Sequence, residues 1–444
     1  MEKKTIKNDF FECQYKIRNF DINPYIEIKR SQILFRILNK FILILTHKLG
    51  VEIFSIKKNY IRTLTNIFSS WLFVQYSRED NTSDPIIPSG KMNMATLKMT
   101  IIDMMKFDFS ISKENREVIA NEIIEQLNMK EECDLGINEI KDYLSSTYYN
   151  SIKNKFNVYK YIKLKKTKKK ENHIDFFQMK IQLYEKITDE NICKIIRNIK
   201  ISQNVYNKLK AKFNIYQSSF KNIDFDTLIW CLLYRYITLG SHNHQLAVIP
   251  NVMQKFKEKI NLNVEVFASG VNHYLDHYCS LFYDIEKYFG SLGSFFDIVP
   301  ISGLFGFNPP YENFIMEKGT EKIIKHLEES EKEGNPLGFL ITIPIWDIEG
   351  KKIMEENYNS KPGKNMSIDY AEYKTITLIN NSPFLRVKRL IPKNDFSYLD
   401  YFNMIYKDKT IQNTYVILMT NKHLNLDLDI IKNISFKHVS ENHN

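Results

Sequence analysis

A double-proline turn, Asn308-Pro309-Pro310-Tyr311, constrains the fold of this chain more than any other stretch. It follows a short apolar run, Ser294–Val299, and a predicted turn at Pro300–Gly303. Helical periodicity begins after it and continues from about Phe314 to Glu329. A strand, a rigid turn and a helix in this order are typical of a loop at the carboxyl end of a strand in an open α/β sheet, where such folds bind ligands.

The residues of this turn also suit one kind of chemistry. An amino group conjugated to a purine is a poor nucleophile because its lone pair is delocalised. The side-chain oxygen of Asn308 and the carbonyl oxygen of Pro309 can each accept one N–H bond and favour a tetrahedral, nucleophilic nitrogen. Pro310 fixes the backbone, because proline locks φ and removes a donor, and Tyr311 can stack on the base, a contact worth about 1–3 kcal/mol. The alternative is an ordinary Asn-Pro-Pro turn beside an aromatic residue.

The composition allows two or three domains, because the chain has 444 residues and 43% of them are hydrophobic. A net charge of +10 and an isoelectric point near 9.0 permit an anionic partner such as nucleic acid without requiring one. The five cysteines are scattered without a CxxC pair. They favour a reducing compartment and argue against a zinc or disulfide framework.

The most hydrophobic segment is Ile33–Leu49, which Arg36, Lys40 and His47 interrupt. It is too short and too charged to span a bilayer, and the start of the chain has no signal-peptide pattern. We therefore expect a buried helix here and no membrane partner.

Residues 1–200 are predicted to form an N-terminal all-α domain. The absence of proline between Pro88 and Pro250 favours a continuous helical module. Within it we predict helical structure throughout residues 1–76, including a helix at Tyr60–Tyr76, then a polar surface loop at 77–91 and a helix at Lys113–Lys130.

Nine lysines lie between Lys153 and Lys170, interleaved with Phe156, Tyr159 and Tyr161. One interpretation is an arm that contacts phosphates, or a nuclear localisation signal. The alternative is a solvated loop, which is the usual structure of a charge run.

Residues 201–444 are predicted to form an α/β domain, because the apolar period changes near residue 260. Two packing helices come first, then a strand, a helix opening at Ser269 and running through Cys279, and four further strands. The predicted bounds are Ser202–Tyr216 and Asp224–Leu239 for the two helices, and Val264–Ala268, Leu337–Pro344, Thr375–Ile379, Leu385–Ile391 and Tyr415–Thr420 for the strands. The last two strands, joined by a long connection, fit the antiparallel hairpin that ends the sheet of a class I methyltransferase.

The segment Phe267–Gly270 has the Phe-x-x-Gly form that follows the first strand of such enzymes at the S-adenosylmethionine loop. The signal is weak because the fuller GxGxG form is missing. In Asp284–Ser291 the carboxylates suit the ribose hydroxyls or the amino group of such a cofactor, and the aromatic residues suit its adenine. The alternative for these carboxylates is a solvated loop.

No metal site is expected. His273 and His277 lie four residues apart in the predicted helix, but HxxxH without the glutamate of HExxH and without a third ligand is weak support for zinc. The neighbouring Tyr274 and Tyr278 favour packing.

One ordered series of residues is more specific than the turn alone. It consists of Phe267-Ala268-Ser269, Asn272, Tyr274, Tyr278-Cys279-Ser280, Phe282, Asp284, Tyr288-Phe289-Gly290-Ser291, Asp297, Pro300-Ile301-Ser302-Gly303, Phe305 and the turn at Asn308. It continues through Ile343-Pro344 and Trp346, and more faintly through Ser382, Phe384, Pro392, Tyr398 and Asn413-Thr414. Over roughly residues 200–420 the chain resembles the phosphorylated-CTD-interacting factor family, the cap-specific adenosine N6-methyltransferases.

This resemblance implies a class I, Rossmann-like methyltransferase domain preceded by a helical domain. It implies methyl transfer from S-adenosylmethionine to N6 of an adenosine in capped RNA, at the first nucleotide after a 7-methylguanosine cap. The catalytic residues would be Asn308, Pro309, Pro310 and Tyr311. The cofactor-binding residues would be Ala268, Ser269, Asn272, Asp284, Phe289, Gly290, Ser291 and Asp297.

Three basic residues on a predicted strand, Arg386, Lys388 and Arg389, are candidates for contacts to RNA phosphates. Alternating charges on an exposed strand are equally typical of simple solvation.

The chain departs from the family pattern in two places. Animal members carry a WW domain with two tryptophans about twenty residues apart, whereas the tryptophans here are Trp71, Trp230 and Trp346. We therefore expect no WW-mediated binding to the polymerase tail. Phe396 and Tyr401 replace residues common near Tyr398, which puts the preference for a cap in question. The Lys, Asn and Ile bias suits a viral or protist relative located in the nucleus, the cytoplasm or a viral factory.

Two other functions stay open. Asn-Pro-Pro-Tyr also serves methylation of other amino groups, such as glutamine N5 and guanine N2. A catalytically inactive RNA-binding or scaffolding protein with the same fold is the other alternative.

Overall fold

The computed structural model describes residues 3–50, 58–78, 80–108, 111–164, 175–186, 192–216, 223–240, 245–345, 374–407 and 413–438. The chain forms two compact units. The sheet unit consists of Met1–Ile17 and His244–Asn444, and the helical unit consists of Arg18–Asn243. The boundary thus lies near residue 243 rather than at 200, and the first residues of the chain belong to the sheet unit.

The helices follow in chain order. They are α1 Pro24–Lys48, α2 Lys58–Tyr76, α3 Ala95–Asp108, α4 Lys113–Leu127, α5 Met129–Ser145, α6 Thr147–Ile152, α7 Gln203–Tyr216, α8 Phe225–Thr238, α9 Pro250–Ile260, α10 Tyr283–Glu286, α11 Asn313–Glu333, α12 Lys374–Asn380 and α13 Leu428–Asn433. Within the described residues, no helix is long and apolar enough to cross a membrane.

The strands are numbered in the same way. They are β1 Lys3–Lys7, β2 Glu12–Lys16, β3 Phe156–Leu164, β4 Asp175–Lys186, β5 Ile192–Ser202, β6 Leu246–Val248, β7 Leu262–Glu265, β8 His277–Tyr278, β9 Val299–Phe307, β10 Leu337–Pro344, β11 Leu385–Ile391, β12 Tyr398–Asp400, β13 Ile405–Lys407 and β14 Thr414–Thr420.

The sheet unit is built on one mixed sheet of eight of these strands. Its parallel part is β8-β7-β9-β10. Strand β14 runs antiparallel between β10 and β11, as the sequence predicted for the last two strands. One edge of β9 has two partners. Strand β2 of the hairpin β1–β2 pairs with the first half of this edge, and β7 pairs with its second half. The fold of this unit is therefore α/β with a mixed sheet.

The core of the sheet unit lies along β10 and β14, in which every residue is buried. Continuous apolar runs are typical of strands covered on both faces. The predictions for Leu337–Pro344, Leu385–Ile391 and Tyr415–Thr420 are confirmed, the last with one additional residue at its start.

The predicted turn at Pro300–Gly303 is wrong, because these residues lie inside β9. The register of β2 against β9 shifts next to Pro300, and such irregularities accommodate a proline in a sheet. Gly303 has a φ of +107°, and a Cβ there would lie 2.6 Å from the Phe10 carbonyl oxygen. A glycine is required at this position because another backbone passes so close.

The predicted helix from Ser269 to Cys279 is also wrong; this segment is a series of turns that ends in β8. Side-chain carboxylates bind several of its backbone N–H groups, which replaces helical hydrogen bonding. The predicted strand at Thr375–Ile379 is helix α12. Its buried residues, Thr375, Ile376 and Ile379, follow a helical spacing rather than an alternation.

The helical unit is not all-α, because β3, β4 and β5 form an antiparallel sheet within it. The apolar residues of β4 alternate, with Phe177, Met179, Ile181 and Leu183 buried. This period of two specifies a half-buried strand. Residues 3–16, predicted as helical, are likewise the strands β1 and β2.

The other predicted helices of the helical unit are confirmed: α1 covers the buried segment, and α2, α4, α7 and α8 lie where the periodicity indicated them. Gly50 has a φ of +64° just beyond the C-cap of α1. The loop at 77–91 was predicted to lie on the surface, but Asn81, Asp84 and Ser89 are buried. Asp84 accepts hydrogen bonds from two backbone N–H groups and from Arg30, which satisfies its charge.

Candidate functional site

A narrow cleft lies in the sheet unit beside the carboxyl ends of β7 and β9. It contains about 480 Å³ of empty space, part of it open to solvent. Its walls come from β6, from Met253 and Phe256 of α9, from the loop after β7, and from the residues around Asn308. Thr342 of β10 closes one side.

The position of the cleft follows from the topology. Strand β7 has β8 on one side and β9 on the other. The chain therefore leaves β7 toward one edge of the sheet and later returns on its other side. In open α/β sheets the crevice at such a switch point, outside the carboxyl ends of the strands, is where ligands bind.

The Asn308–Tyr311 turn begins immediately after the last residue of β9. Asn308 is partly buried and lines the cleft, whereas Pro309 is buried. Among the described residues, none makes a hydrogen bond to the side-chain amide of Asn308. The amide therefore presents an acceptor oxygen and a donor nitrogen toward the cleft.

Tyr311 is held at its hydroxyl end. The Tyr311 hydroxyl makes a short hydrogen bond with the hydroxyl of Tyr398 on β12. Burial raises the pKa of Tyr311 to about 12, and the bond to Tyr398 opposes this rise. The residue as a whole remains 39% exposed, so part of its ring is accessible while its hydroxyl is fixed.

The small sheet β13-β12-β6 links this tyrosine pair to the cleft. Strand β12 carries Tyr398 and pairs with β6, whose residues Leu246, Ala247 and Val248 line the cleft. The sequence did not indicate this wall, because β6 has only three residues and no distinct pattern.

The loop after β7 places two of the predicted cofactor residues, Ala268 and Asn272, at the cleft. The Asn272 side-chain oxygen accepts the Ser269 N–H at 2.7 Å. The Ser269 hydroxyl donates to the Gln245 side-chain oxygen at 2.6 Å. Ser269 therefore shapes the loop rather than lining the cleft.

Two buried carboxylates fix the same loop. Glu265, the last residue of β7, lines the cleft, and its Oε2 accepts the N–H groups of Tyr274 and Leu275, each at 2.7 Å. Glu286 is fully buried, and its Oε1 accepts the Gly270 N–H at 2.6 Å. Sequence reasoning missed Glu265 and assigned the Glu286 carboxylate to the cofactor, whereas it binds the backbone of this loop. An acid inside the apolar run of β7 is the signal that indicates Glu265.

Four other predicted cofactor residues are buried and do not line the cleft. Asp284 and Phe289 are buried in or beside α10. Gly290 has a φ of +94°, which glycine adopts without strain. The Ser291 hydroxyl lies 2.7 Å from that of Ser280. Their contacts build the segment 284–291, which is bonded to the loop after β7 through Glu286.

Asp297 lies at the opposite end of β9 from Asn308. It precedes Val299, the first residue of a nine-residue strand, which places it roughly 30 Å from the carboxyl end at about 3.3 Å per residue. Its carboxylate is 3.6 Å from the Lys16 ammonium. The structure does not bring this predicted cofactor residue to the cleft.

The three predicted RNA-binding residues of β11 have different surroundings. Arg386 and Lys388 are exposed on the strand, where Arg386 donates to the Thr420 hydroxyl and the Pro383 carbonyl oxygen and Lys388 donates to the Asn380 side-chain oxygen. Arg389 instead donates to the carbonyl oxygens of Ile431 and Ile434 at the end of α13, at 3.1 and 2.7 Å. Its contacts are those of a residue that caps a helix C-terminus.

Glu312 is a further residue that sequence reasoning missed. It is the N-cap of α11, directly after Tyr311, and accepts the Ile315 N–H at 3.0 Å. Burial raises the pKa of Glu312 to about 7, although backbone hydrogen bonds from Ile315 and Phe314 oppose the rise.

No group of histidine, cysteine and acidic side chains in the described part of the chain is arranged to hold a metal ion. His273 and His277 do not lie on one helix face, because no helix forms there. His273 stacks on Tyr278 at 4.2 Å between ring centroids, in agreement with the predicted packing role.

Comparison with known proteins finds a matching sequence family and several related proteins. Residues 203–377 match the sequence family described as phosphorylated CTD interacting factor 1 WW domain. The chain is similar to a human and a mouse protein, each named mRNA (2'-O-methyladenosine-N(6)-)-methyltransferase, at 33% and 32% identity over 157 residues. Each alignment covers 33% of this chain and only 22% of the relative's length.

The family description names a WW domain, but the matched residues here include α7 to α11, the start of α12 and four of the eight strands of the central sheet. The tryptophans within the match are Trp230 and Trp346, the second of which lies outside the described residues. The expected absence of WW-mediated binding therefore stays a prediction.

Proposed function

We propose that this chain is an RNA adenosine N6-methyltransferase that uses S-adenosylmethionine and belongs to the phosphorylated CTD interacting factor 1 family, whose model matches residues 203–377. The proposed substrate is the first nucleotide after the cap of an mRNA. The observation that carries the proposal is the position of Asn308, whose amide faces a cleft at the carboxyl end of β9. An mRNA-modifying activity belongs in the nucleus or the cytoplasm.

The topology supports assigning the sheet unit as the methyltransferase domain. The order β8-β7-β9-β10-β14-β11, with antiparallel β14 between two strands of the opposite direction, agrees with a class I, Rossmann-like enzyme. In this assignment β7 is the strand before the cofactor loop, and β9 is the strand before the catalytic turn.

The lining of the cleft suits S-adenosylmethionine. Apolar walls with a few polar groups are typical of small-molecule sites. Here the apolar walls come from β6 and α9, and the polar groups are Glu265, Asn272 and Asn308. When bound, the cofactor supplies an electrophilic methyl group on a sulfonium sulfur.

The remaining chemistry belongs to the turn. The Asn308 side-chain oxygen and the Pro309 carbonyl oxygen accept the two N–H bonds of the adenine amino group. These bonds hold the nitrogen lone pair out of conjugation, and the base is aligned by stacking on Tyr311. Alignment and preorganised hydrogen bonds are the two largest contributions an enzyme makes to such a transfer.

Other predicted residues take supporting roles in this proposal. Ala268 and Asn272 contact the cofactor, whereas Ser269, Asp284, Phe289, Gly290 and Ser291 hold the loop that does so. Arg386 and Lys388 contact RNA phosphates, because they are exposed on β11.

The test is methyl transfer from labelled S-adenosylmethionine to RNA that begins with adenosine, with a cap and without one. We expect label in the capped RNA. Absence of label in both RNAs contradicts the proposal. Thermal stabilisation by the cofactor then separates an inactive scaffold, which shows none at saturating ligand, from an enzyme with another amino-group substrate.

A further inference from the structure

The positive charge of this chain is concentrated in one segment. Residues 153–202 contain 13 lysines and one arginine against five acidic residues, a net charge of +9. The whole chain carries +10. The remaining residues are therefore almost neutral in sum, and any electrostatic attraction of a polyanion is directed to the part of the helical unit that contains β3, β4 and β5.

One face of this three-stranded sheet is buried. Phe177, Met179 and Ile181 of β4 and Ile199 and Ile201 of β5 lie there, each at most 8% exposed. Helix α7 packs against this face, where the rings of Phe177 and Tyr206 are 4.8 Å apart.

The other face is buried at Phe176 and Ser202 and carries polar residues beyond them. The side chains of Asn157, Asn198 and Lys200 are exposed, and those of Gln178 and Lys180 are half-buried. The register pairs Gln178 with Lys200 and Lys180 with Asn198. Lys180 and Lys200 are therefore diagonal neighbours, which in an antiparallel pair are about 7–8 Å apart.

The composition of this open face selects the kind of partner. Among the described residues of this face, Phe176 is buried, and the Lys200 ammonium lies 5.4 Å from the centroid of its ring. Lysines beside asparagine and glutamine amides suit a phosphate backbone with polar base edges.

We propose that the open face of the β3–β4–β5 sheet binds single-stranded RNA. Its lysines contact phosphates, and it adds affinity for RNA of any sequence. The identification of the RNA as the substrate rests on the proposed methyltransferase function, whereas the binding surface itself does not.

The test measures binding of a fluorescent, uncapped single-stranded RNA by anisotropy at several salt concentrations. The variant Lys180→Gln with Lys200→Gln removes two ammonium groups from the face. The slope of log K against log salt should fall by about 1.4, because each phosphate contact on a single strand contributes roughly 0.7. Affinity should fall by the same proportion for RNAs of different sequence.

A matched control is Lys48→Gln with Lys98→Gln, which removes the same charge from the helical unit. These lysines pair with Glu122 and Glu117. The control should bind RNA as the unchanged protein does, and thermal denaturation verifies that both variants are folded. The proposal is overturned if the folded Lys180/Lys200 variant keeps the full affinity and slope, if the control loses as much, or if single-stranded DNA binds more tightly than RNA.

The same variant separates this inference from the proposed reaction. It should raise the KM for a long capped RNA and leave transfer to a capped dinucleotide unchanged. A protein that binds RNA through this face but transfers no methyl group contradicts the proposed reaction alone. A protein that methylates RNA with an affinity insensitive to these two lysines contradicts the surface alone.

Discussion

At the scale of single residues, Tyr311 shows how the site combines a fixed and an accessible end. Its hydroxyl is anchored by Tyr398, and its ring is partly exposed beside Asn308. A ring held in this way loses little conformational freedom when a base stacks on it, because its orientation is already set.

We expect Tyr311→Ala to lower kcat/KM by roughly 5- to 150-fold, since base stacking contributes about 1–3 kcal/mol. Tyr311→Phe keeps the ring and loses one hydrogen bond, so its effect should be about tenfold at most. Steady-state kinetics on capped RNA measure both. Tyr398→Phe breaks the same bond and is the matched control. Equal losses in the Phe and Ala variants of Tyr311 would contradict the stacking role.

Glu312 should make stability depend on pH. Burial raises its pKa to about 7 from 4.5, so the folded state holds the proton more tightly than the unfolded state. The stabilisation is therefore fully present below about pH 4.5 and is lost as the pH rises through about 7. We expect the unchanged protein to lose more stability between about pH 5 and pH 8 than Glu312→Gln does.

Urea denaturation at the two pH values measures this difference. Glu328→Gln removes an exposed carboxylate from the same helix and should behave like the unchanged protein. Identical pH profiles for Glu312→Gln and the unchanged protein would show that the Glu312 carboxyl is not perturbed.

Residues that would act by their own chemistry are easier to single out from a sequence than those that act through a partner. Asn308 was singled out because an amide before two prolines suits the proposed chemistry, and its catalytic role stays a prediction. Glu286 and Tyr398 act through contacts 16 and 87 residues away in the chain, with Gly270 and Tyr311. Such pairs exist only after folding, and no local pattern encodes them.

At the scale of elements, β9 and α11 together position the Asn308–Tyr311 turn. Gly319 of α11 allows the two to approach closely. A Cβ at this position would lie 2.5 Å from the ring of Phe307, the residue that precedes Asn308.

Gly319→Ala should therefore destabilise the protein by about 1–3 kcal/mol through overpacking. Helix propensity alone predicts the opposite sign, a stabilisation of about 1 kcal/mol. Chemical denaturation decides between them, with Lys318→Ala as a control at an exposed position of the same helix. A Gly319→Ala variant more stable than the unchanged protein would refute the close contact.

Arg389→Ala should reduce stability by about 1.5–3 kcal/mol, because charged hydrogen bonds to the end of α13 are lost. RNA affinity should not change. Lys388→Ala, on the same strand, should keep the stability of the unchanged protein and lose RNA affinity. Denaturation and anisotropy measured on both variants test this. If Arg389→Ala is as stable as the unchanged protein but binds RNA more weakly, Arg389 contacts RNA as the sequence predicted.

Elements with a clear apolar period were predicted correctly, and those controlled by tertiary contacts were not. Strand β10 and helix α8 have continuous or helical apolar patterns that fix their structure locally. The turns at 269–276 form because Glu265 and Glu286 bind their N–H groups. Helix α12 contains β-branched residues that favour a strand, and packing against α11 overrides that preference.

At the scale of the whole molecule, the chain divides its properties between two compact units. The sheet unit holds the cleft and the Asn308–Tyr311 turn, and the helical unit holds residues 153–202, whose net charge is +9. The sequence predicted this division of roles but not its boundary. The apolar pattern of α7 and α8 does not reveal which unit these helices pack into.

The central claim is that the amide of Asn308 makes an adenine amino group reactive. The most direct test is mass spectrometry of nucleosides released from capped, 2′-O-methyladenosine-starting RNA after reaction with methyl-deuterated S-adenosylmethionine. We predict that the deuterated methyl group is found on N6 with the unchanged protein and falls at least a hundredfold with Asn308→Ala, on the order of one lost preorganised donor or acceptor. Label on any other atom, or an undiminished N6 label with folded Asn308→Ala, would contradict the account.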